Sequence, residues 1–239
     1  MIHVVRRGDT LYGLSRRYGV PVPVLVWLNQ IPDPNVLVEG QALLILDRLP
    51  LGALSIQVNG YAYPFISPFV LENTLGSLNL LSSFSYGFTS SGELIGPETP
   101  DRRMLAQADD RGVTTAMVLT PMDMEGRFSN VLVNTLLSDR ATQLRLLEHV
   151  ESAIAAKGFG ELNIDFEYIL ASDRQAFVDF VALAAATVSV PVSVCLAPKT
   201  SRNQRGLLYE GKDYRAIGEA ADRVLLMTYE WSTLAYNYI

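Results

Sequence analysis

The sequence has few of the side chains that bind metals or act as nucleophiles. It contains one cysteine, Cys195, and two histidines, His3 and His149, among 239 residues. A single cysteine excludes an internal disulfide and leaves the redox compartment open. Two histidines so far apart in sequence give little support to a histidine-rich zinc site or a Ser-His-Asp triad. We therefore expect neither a bound metal nor another cofactor.

Excess positive charge and long apolar runs are also missing. There are 19 basic and 25 acidic residues, for a net charge of −6. This balance argues against nucleic acid or an anionic membrane as a partner. No apolar run approaches the ~20 residues that span a bilayer, and the first residues lack the apolar core of a signal peptide. We expect no membrane insertion and synthesis without a classical signal peptide.

Residues 1–48 are predicted to fold as a small domain of their own. The predicted elements are a strand at 2–6, a helix at 11–18, a helix at 24–29 and a strand at 42–46. Asp9 or Thr10 can cap the first helix, and Gly19 suits the position just after it. The order is strand, helix, helix, strand.

Three segments of this domain resemble the LysM family. Residues 5–11 resemble its opening motif, residues 24–29 a motif in its second helix, and residues 37–41 its closing motif. The resemblance covers residues 2–47 and implies binding of glycans that contain N-acetylglucosamine, such as peptidoglycan or chitin. In that family the ligand lies between two loops, which correspond here to Gly8, Asp9, Thr10 and Leu11 and to Ile31, Pro32 and Asp33. Taken alone, the first loop is equally well explained as a turn and helix cap.

Residues 49–239, after a linker at 47–53, are predicted to form an α/β domain, a TIM-type (β/α) barrel incomplete at about six strands. Strands are predicted at 55–61, 78–84, 115–119, 160–168, 191–197 and 224–229, and helices at 100–110, 129–137, 139–156, 172–186 and 213–221. This alternation favours a parallel sheet, and no Gly-x-Gly-x-x-Gly motif supports a Rossmann fold. A full barrel takes about 250 residues, so we expect a truncated or frameshifted product of a longer parent.

The predicted strand at 160–168 has polar side chains at every second position, namely Asn163, Asp165 and Glu167. Because alternate residues of a strand share a face, we predict that all three point into the barrel. Burying two carboxylates is costly unless they have a use. Carboxylates two residues apart also repel, so one is expected to hold a proton near neutral pH and act as an acid.

Residues 163–167 resemble the Asp-x-Asp-x-Glu end of the signature of glycoside hydrolase family 18, and residues 227–230 resemble its Met-x-Tyr-Asp motif. Residues 197–200, 206–209 and 228–231 resemble LysM-bearing N-acetylglucosaminidases that degrade spore cortex peptidoglycan. This resemblance covers residues 52–231. Gly160, Asn163 and Glu230 depart from the acidic residues that the broad family has at these positions.

The resemblance implies substrate-assisted retaining hydrolysis. Glu167 would be the general acid/base, Asp165 would orient and polarise the 2-acetamido group of the substrate, and Tyr229 would hydrogen-bond the acetamido carbonyl. Since catalytic groups collect at the carboxyl ends of barrel strands, further substrate contacts are expected at the same mouth. These predicted substrate-binding residues are Asn163, Tyr86, Glu230 and Trp231.

We therefore predict a spore cortex N-acetylglucosaminidase, located in the spore coat or cortex of a spore-forming bacterium. One alternative is a glycan-binding LysM protein with an inactive, truncated barrel. Another is a chitin-type lectin, against which Glu167 counts because such lectins usually lack the acid. Cys195 is predicted to be a small buried strand residue, and Lys199 is either a loop cap, which we favour, or a glycan contact.

Overall fold

The protein was analysed as a computed structural model that describes residues 2–46, 56–123, 126–201 and 203–228. The chain divides into two compact units, residues 1–56 and residues 57–239. The predicted domain boundary after residue 48 and the linker at 47–53 lie outside the described residues and stay predictions. In the described part, no helix is both long and apolar enough to cross a lipid bilayer.

The first unit has the predicted order of strand, helix, helix and strand. Its elements are β1 (Ile2–Val4), α1 (Leu11–Tyr18), α2 (Val22–Leu28) and β2 (Ala42–Leu44), and the two strands pair antiparallel. Helix α1 begins where the Thr10 hydroxyl accepts a hydrogen bond from the Gly13 amide, and it ends at Gly19 with a left-handed φ of 68°. The core between the layers contains Val5, Leu11, Leu14, Val20, Leu25, Ile31, Leu43 and Ile45.

The second unit alternates strands and helices. Its elements are β3 (Asn59–Ala62), α3 (Pro68–Leu75), β4 (Leu80–Phe88), β5 (Leu94–Ile95), α4 (Arg102–Asp109), β6 (Thr114–Leu119), α5 (Asn130–Ser138), α6 (Arg140–Lys157), β7 (Glu161–Ile164), α7 (Arg174–Thr187), β8 (Val192–Leu196), α8 (Tyr214–Ala220) and β9 (Arg223–Leu226). Within the described residues of this unit, six strands form a parallel sheet in the order β3-β4-β6-β7-β8-β9, and β5 pairs antiparallel with β4. The curled sheet is a half-barrel, which confirms the predicted α/β fold with six parallel strands.

Helix α3 and strand β5 were not predicted. Leu71 and Leu75 of α3 are four residues apart and buried, but the exposed Phe69 and Val70 directly before them obscure this helical spacing in the sequence. Strand β5 has two residues and depends on its pairing with the end of β4, which also runs four residues beyond its predicted end.

Strand β7 is shorter than predicted. It ends at Ile164, which pairs with Leu119 of β6 and Val194 of β8, so Asp165 and Glu167 lie in the segment that follows. The Asp165 amide still donates to the Leu119 carbonyl at 2.9 Å, which continues the strand direction by one residue. The carboxylates therefore lie beyond the carboxyl end of the strand rather than within it.

Helix α7 starts without the capping box that we predict from Ser172 and Gln175, a serine followed three residues later by a glutamine at the start of the predicted helix at 172–186. The residues Ala171–Asp173 form a 3-10 turn, and α7 begins at Arg174. The Ser172 hydroxyl donates to the side chain of Asp173, and the side-chain nitrogen of Gln175 donates to the side chain of Asp179. Neither side chain caps the backbone of the helix, so this prediction was wrong.

Packing between the sheet and its helices sets the direction of the segment after β7. The Phe166 side chain is fully buried, and its ring stacks on that of Phe180 in α7 with centroids 5.8 Å apart. Because neighbouring side chains of an extended chain point to opposite sides, anchoring Phe166 among the helices turns Asp165 toward the concave face of the sheet. The fold thus places a carboxylate inside the half-barrel.

Candidate active site

A cavity of about 200 Å³ lies at the concave face of the sheet. Its lining residues come from or follow five strands and are Tyr61, Ala62, Tyr63, Phe84, Asp165, Cys195, Leu225 and Met227. A larger groove of about 980 Å³ is lined by α4 and by residues near the amino ends of β6 and β7, and neither Asp165 nor Glu167 lines it. We therefore place the candidate site at the smaller cavity, which contains Asp165.

The two carboxylates differ in exposure. Asp165 is only 7% exposed, whereas Glu167 is partly exposed. Cys195 of β8 shares the cavity and is buried, as predicted. Burial, reinforced by the negative charge of Asp165, raises the pKa of the Cys195 thiol to about 12. The thiol is thus protonated at neutral pH and is not a nucleophile.

A hydrogen-bonded network underlies Asp165. The side-chain oxygen of Asn163 accepts hydrogen bonds from the Tyr61 hydroxyl at 3.1 Å and from the Cys195 thiol at 3.3 Å. The side-chain nitrogen of Asn163 donates to the Ser193 hydroxyl at 2.8 Å. Burial raises the pKa of Tyr61, with a further contribution from Cys195, so the phenol stays protonated and acts as a donor. Asn163, predicted to bind substrate, is 2% exposed and lies in this network instead of at the surface.

Tyr61 is a site residue that was not predicted. In the sequence it is only the last residue of a predicted strand, and nothing local distinguishes it from Tyr63. The nearest indication was the predicted strand itself, because side chains at the carboxyl ends of barrel strands line the site.

Lys212 was also not predicted. Its side chain is 1% exposed, and its Nζ donates to the Cys195 carbonyl at 3.2 Å. Burial lowers the pKa of Lys212 to about 8, against the opposing effect of the charges on Asp165 and Glu167. Lys212 lies in the irregular segment between β8 and α8, which has no periodicity or motif that could have shown this position.

Lys199 has the structural role favoured from the sequence. Its Nζ donates to the carbonyl of Tyr209 at 2.9 Å and to that of Lys212 at 3.2 Å, and it lies 4.1 Å from the ring centroid of Tyr214. These contacts tie the loop after β8 to the segment that leads into α8.

Tyr86 does not lie at the cavity, which corrects the expectation that it contacts substrate there. It is 1% exposed, its hydroxyl donates to Asp101, and Lys157 Nζ donates to the Tyr86 hydroxyl at 2.6 Å. The pairing of β4 with β6 shifts register between Ser83 and Tyr86. Such an irregularity re-aims the side chains beyond it, and the Tyr86 ring packs against Phe159 in the core beneath the helices.

In the first unit, the loop after β1 forms a tight turn. Gly8 has a left-handed φ of 90°. One carboxylate oxygen of Asp9 accepts from the Arg6 amide and from His3 Nε2, both at 2.8 Å, and these bonds lower the pKa of Asp9. Thr10 caps α1. The turn and cap considered from the sequence are thus present, and glycan contact by this loop stays a prediction.

Two other predicted glycan-binding residues of the first unit have buried side chains. Leu11 is 2% exposed and Ile31 is 5% exposed, and both pack in the core. The structure therefore leaves only their backbone groups for a glycan. Pro32 and Asp33 are exposed, and an Asp33 oxygen accepts from the Asn35 amide at 2.9 Å. Tyr229, Glu230 and Trp231, which complete the predicted site, lie outside the described residues.

Comparison with known proteins supports both resemblances. Residues 3–45 match the family described as LysM domain. The chain is 33% identical to the cortical fragment-lytic enzyme of Bacillus subtilis, over 96% of this chain and 65% of that protein. It is 25% identical to the putative sporulation-specific glycosylase YdhD of the same species, over 96% of this chain and 66% of that protein. The chain thus spans slightly less than two thirds of the length of these relatives.

Solved structures extend the similarity to the fold. The crystal structure of the Bacillus cereus spore cortex-lytic enzyme SleL matches with a TM-score of 0.73 and 27% identity, over 96% of this chain and 54% of that chain. A chitinase from Chromobacterium violaceum matches with a TM-score of 0.65 and 20% identity, over 72% of this chain and 56% of that chain, which shows a shared fold. The chain therefore contains a segment that matches the LysM domain and is similar in sequence and fold to cortical fragment-lytic enzymes.

Proposed function

We propose that this protein is a glycoside hydrolase that cleaves spore cortex peptidoglycan at N-acetylglucosamine. The carrying observation is Asp165, buried in a cavity at the concave face of a parallel half-barrel and followed two residues later by Glu167. Parallel barrels place reacting groups at the carboxyl ends of their strands. Relatives named cortical fragment-lytic enzyme, together with the LysM domain, support a peptidoglycan substrate.

The two carboxylates have different tasks in the proposed reaction. Glu167 donates its proton to the glycosidic oxygen as the bond from that oxygen to the anomeric carbon breaks. The carbonyl oxygen of the substrate's 2-acetamido group attacks the same carbon, while Asp165 orients this group and stabilises the positive charge that develops on it. Water then attacks the anomeric carbon, the bond from that carbon to the acetamido oxygen breaks, and Glu167 takes up a proton from the water, so the configuration is retained. Tyr229 is proposed to hydrogen-bond the acetamido oxygen.

The surroundings of Asp165 favour this use of charge. Tyr61 and Cys195 both stay protonated because burial raises their pKa values. Negative charge at the cavity therefore belongs to Asp165 and not to Tyr61 or Cys195. In a poorly solvated cavity such a charge acts more strongly on a developing cation than it would in water.

Replacement of the proposed acid tests the activity. Glu167→Gln in the 239-residue chain is expected to lower the release of reducing sugar from cortex fragments by about a hundredfold or more, with binding to peptidoglycan retained. The matched control is Glu148→Gln, at an exposed position on α6. Equal activity of the Glu167→Gln and unmodified chains would contradict the assignment of the acid.

The first unit is proposed to hold the same glycan through the loops at Gly8, Asp9, Thr10 and Leu11 and at Ile31, Pro32 and Asp33. Sedimentation with insoluble peptidoglycan measures this binding. If the unmodified chain binds peptidoglycan but releases no reducing sugar, the hydrolase proposal fails and the glycan-binding alternative is supported.

We also propose that the protein is located in the spore coat or cortex. The sporulation-related names of the relatives support this location. Fluorescent fusions imaged during sporulation would test it, and fluorescence confined to vegetative cells would contradict it.

A further inference from the structure

Lys212 places a buried ammonium group near the cavity that contains Asp165. Lysine is rarely fully buried unless opposite charge compensates it. The Lys212 side chain is 1% exposed, its Nζ donates to the Cys195 carbonyl at 3.2 Å, and its charge interacts with those of Asp165 and Glu167, more strongly with Asp165. Cys195 itself lines the cavity with Asp165.

The backbone holds Lys212 firmly in this position. A Cβ added at Gly211 would lie 2.0 Å from the carbonyl oxygen of Ile169, so only glycine allows such close contact with the segment that follows β7. Lys199 Nζ donates to the carbonyls of Tyr209 and Lys212 on the other side. The close contact at Gly211 thus brings the ammonium group to the segment that carries both carboxylates.

Burial alone would place the proton on the wrong carboxylate. Desolvation disfavours the charged form of an acid, and Asp165 is more buried than Glu167. On that basis Asp165 would be the protonated member of the pair. The proposed hydrolysis instead requires an ionised Asp165 and a protonated Glu167.

We propose that Lys212 is a positioning residue that keeps Asp165 ionised and thereby leaves the shared proton on Glu167. This inference rests on the proposed function. An opposite charge favours the ionised form of a nearby acid, and Asp165 is the carboxylate with which Lys212 interacts more strongly.

The groups that act on Lys212 come from three parts of the unit. Asp165 and Glu167 follow β7, Cys195 belongs to β8, and Lys199 follows β8 and opposes the positive charge. Because burial lowers the pKa of Lys212 to about 8, its charge is present below that pH and is lost as the pH rises through it. Proton placement and hydrolysis should therefore both change near pH 8.

Carboxyl titration tests this inference without requiring hydrolysis. The unmodified chain, labelled with carbon-13 at aspartate side chains, is titrated by NMR, with the Asp165 signal assigned through Asp165→Asn. Asp165 is expected to be ionised at neutral pH and to shift again when Lys212 loses its proton. A protonated Asp165 at neutral pH, or no second shift, would overturn the inference.

The variants Lys212→Met and Lys212→Arg distinguish the effect of the positive charge at this position from the effect of the side chain's shape. In Lys212→Met the pKa of Asp165 should rise by about one unit or more, and kcat/KM at pH 7 should fall about tenfold or more. Lys212→Arg should largely restore both. Arg140→Met, at an exposed site on α6, is the control for loss of a positive charge.

The outcomes distinguish the two proposals. An unchanged Asp165 titration in folded Lys212→Met would refute the role of Lys212 even if the chain hydrolyses glycan. If Asp165 titrates as expected but the chain is inactive, the hydrolase proposal is contradicted, while the role of Lys212 in keeping Asp165 ionised is supported. If Lys212→Met does not fold, the titration of the unmodified chain decides.

Discussion

The hydroxyl of Tyr61 donates a hydrogen bond of 3.1 Å to the side-chain oxygen of Asn163, across 102 residues of sequence. Tyr61 belongs to β3 and Asn163 to β7, and in the sheet these strands are separated by β4 and β6. A side-chain bond between them therefore crosses the concave face of the curled sheet. It joins an edge strand of the described sheet to the strand that positions Asp165.

Removal of this hydroxyl should affect stability and activity together. Tyr61→Phe leaves Asn163 with one donor fewer in a buried site, so we expect a loss of about 1 kcal/mol in the free energy of unfolding. We also expect lower kcat, because the support beneath Asp165 is loosened. Urea unfolding and release of reducing sugar measure the two effects. Tyr12→Phe, at a tyrosine that is 70% exposed in the first unit, is the control; equal stability of the two variants would contradict the prediction.

Gly211 should tolerate no side chain. In Gly211→Ala the new Cβ would meet the Ile169 carbonyl oxygen at 2.0 Å, and relief of this overlap is expected to cost about 2 kcal/mol or more of stability. Gly76→Ala is the matched control, since no atom lies within 4 Å of a Cβ there and its φ is −62°. Thermal unfolding should separate the variants, and a Gly211→Ala chain as stable as Gly76→Ala would refute the close contact.

Asp213 should stabilise the protein in a pH-dependent way. Its carboxylate accepts from Arg174 and from the Ala216 amide at the start of α8, and these bonds hold its pKa below the usual value. Asp213→Ala should therefore cost about 1 kcal/mol at pH 7. The difference should shrink as the pH falls below about 4, where the carboxylate becomes protonated in the unfolded and then in the folded state.

Melting temperatures at pH 7 and pH 3 measure this effect. Asp109→Ala, at an exposed residue that ends α4, provides the comparison. A destabilisation by Asp213→Ala that is the same at both pH values would show that the carboxylate charge is not involved.

Asn29 should be essential to the first unit. Its side chain donates to the carbonyls of Leu25 and Leu44 and accepts from the Leu44 amide at 2.7 Å, which joins the end of α2 to β2. Asn29→Ala removes three hydrogen bonds, so we expect a loss of about 2 kcal/mol or more. Amide hydrogen exchange within residues 2–46 reports this loss, with Asn35→Ala as the control at an exposed asparagine. Equal protection of these amides from exchange in Asn29→Ala and Asn35→Ala would contradict the prediction.

Local signals explain why much of the fold was predictable. Thr10 and Gly19 bound α1 because capping depends on a few adjacent residues. The apolar periodicity of each segment indicated whether it is a strand or a helix. The alternation of strands and helices in the second unit then predicted the parallel sheet. The similarity to cortical fragment-lytic enzymes agrees with the resemblance seen in the sequence, and the roles of residues 163–167 stay proposals.

Other features depend on contacts that no local pattern shows. Tyr86 points away from the cavity because β4 shifts register against β6, and alternation along one strand does not reveal a shift between two strands. The side chains of Leu11 and Ile31 face the core of the first unit although a motif placed them at a ligand. Tyr61 and Lys212 were not predicted, because each derives its environment from residues distant in sequence.

The sequence by itself determined most of the order of elements, the parallel sheet and the two carboxylates at one central strand, since caps, periodicity and motif spacing act over short stretches of chain. Tertiary structure decided what surrounds those carboxylates. Curling of the sheet brings Tyr61 across to Asn163, and the close contact of Gly211 with Ile169 holds Lys212 next to the segment that carries both carboxylates. Burial and charge at the site are properties of neighbours in space, and only folding assembles those neighbours.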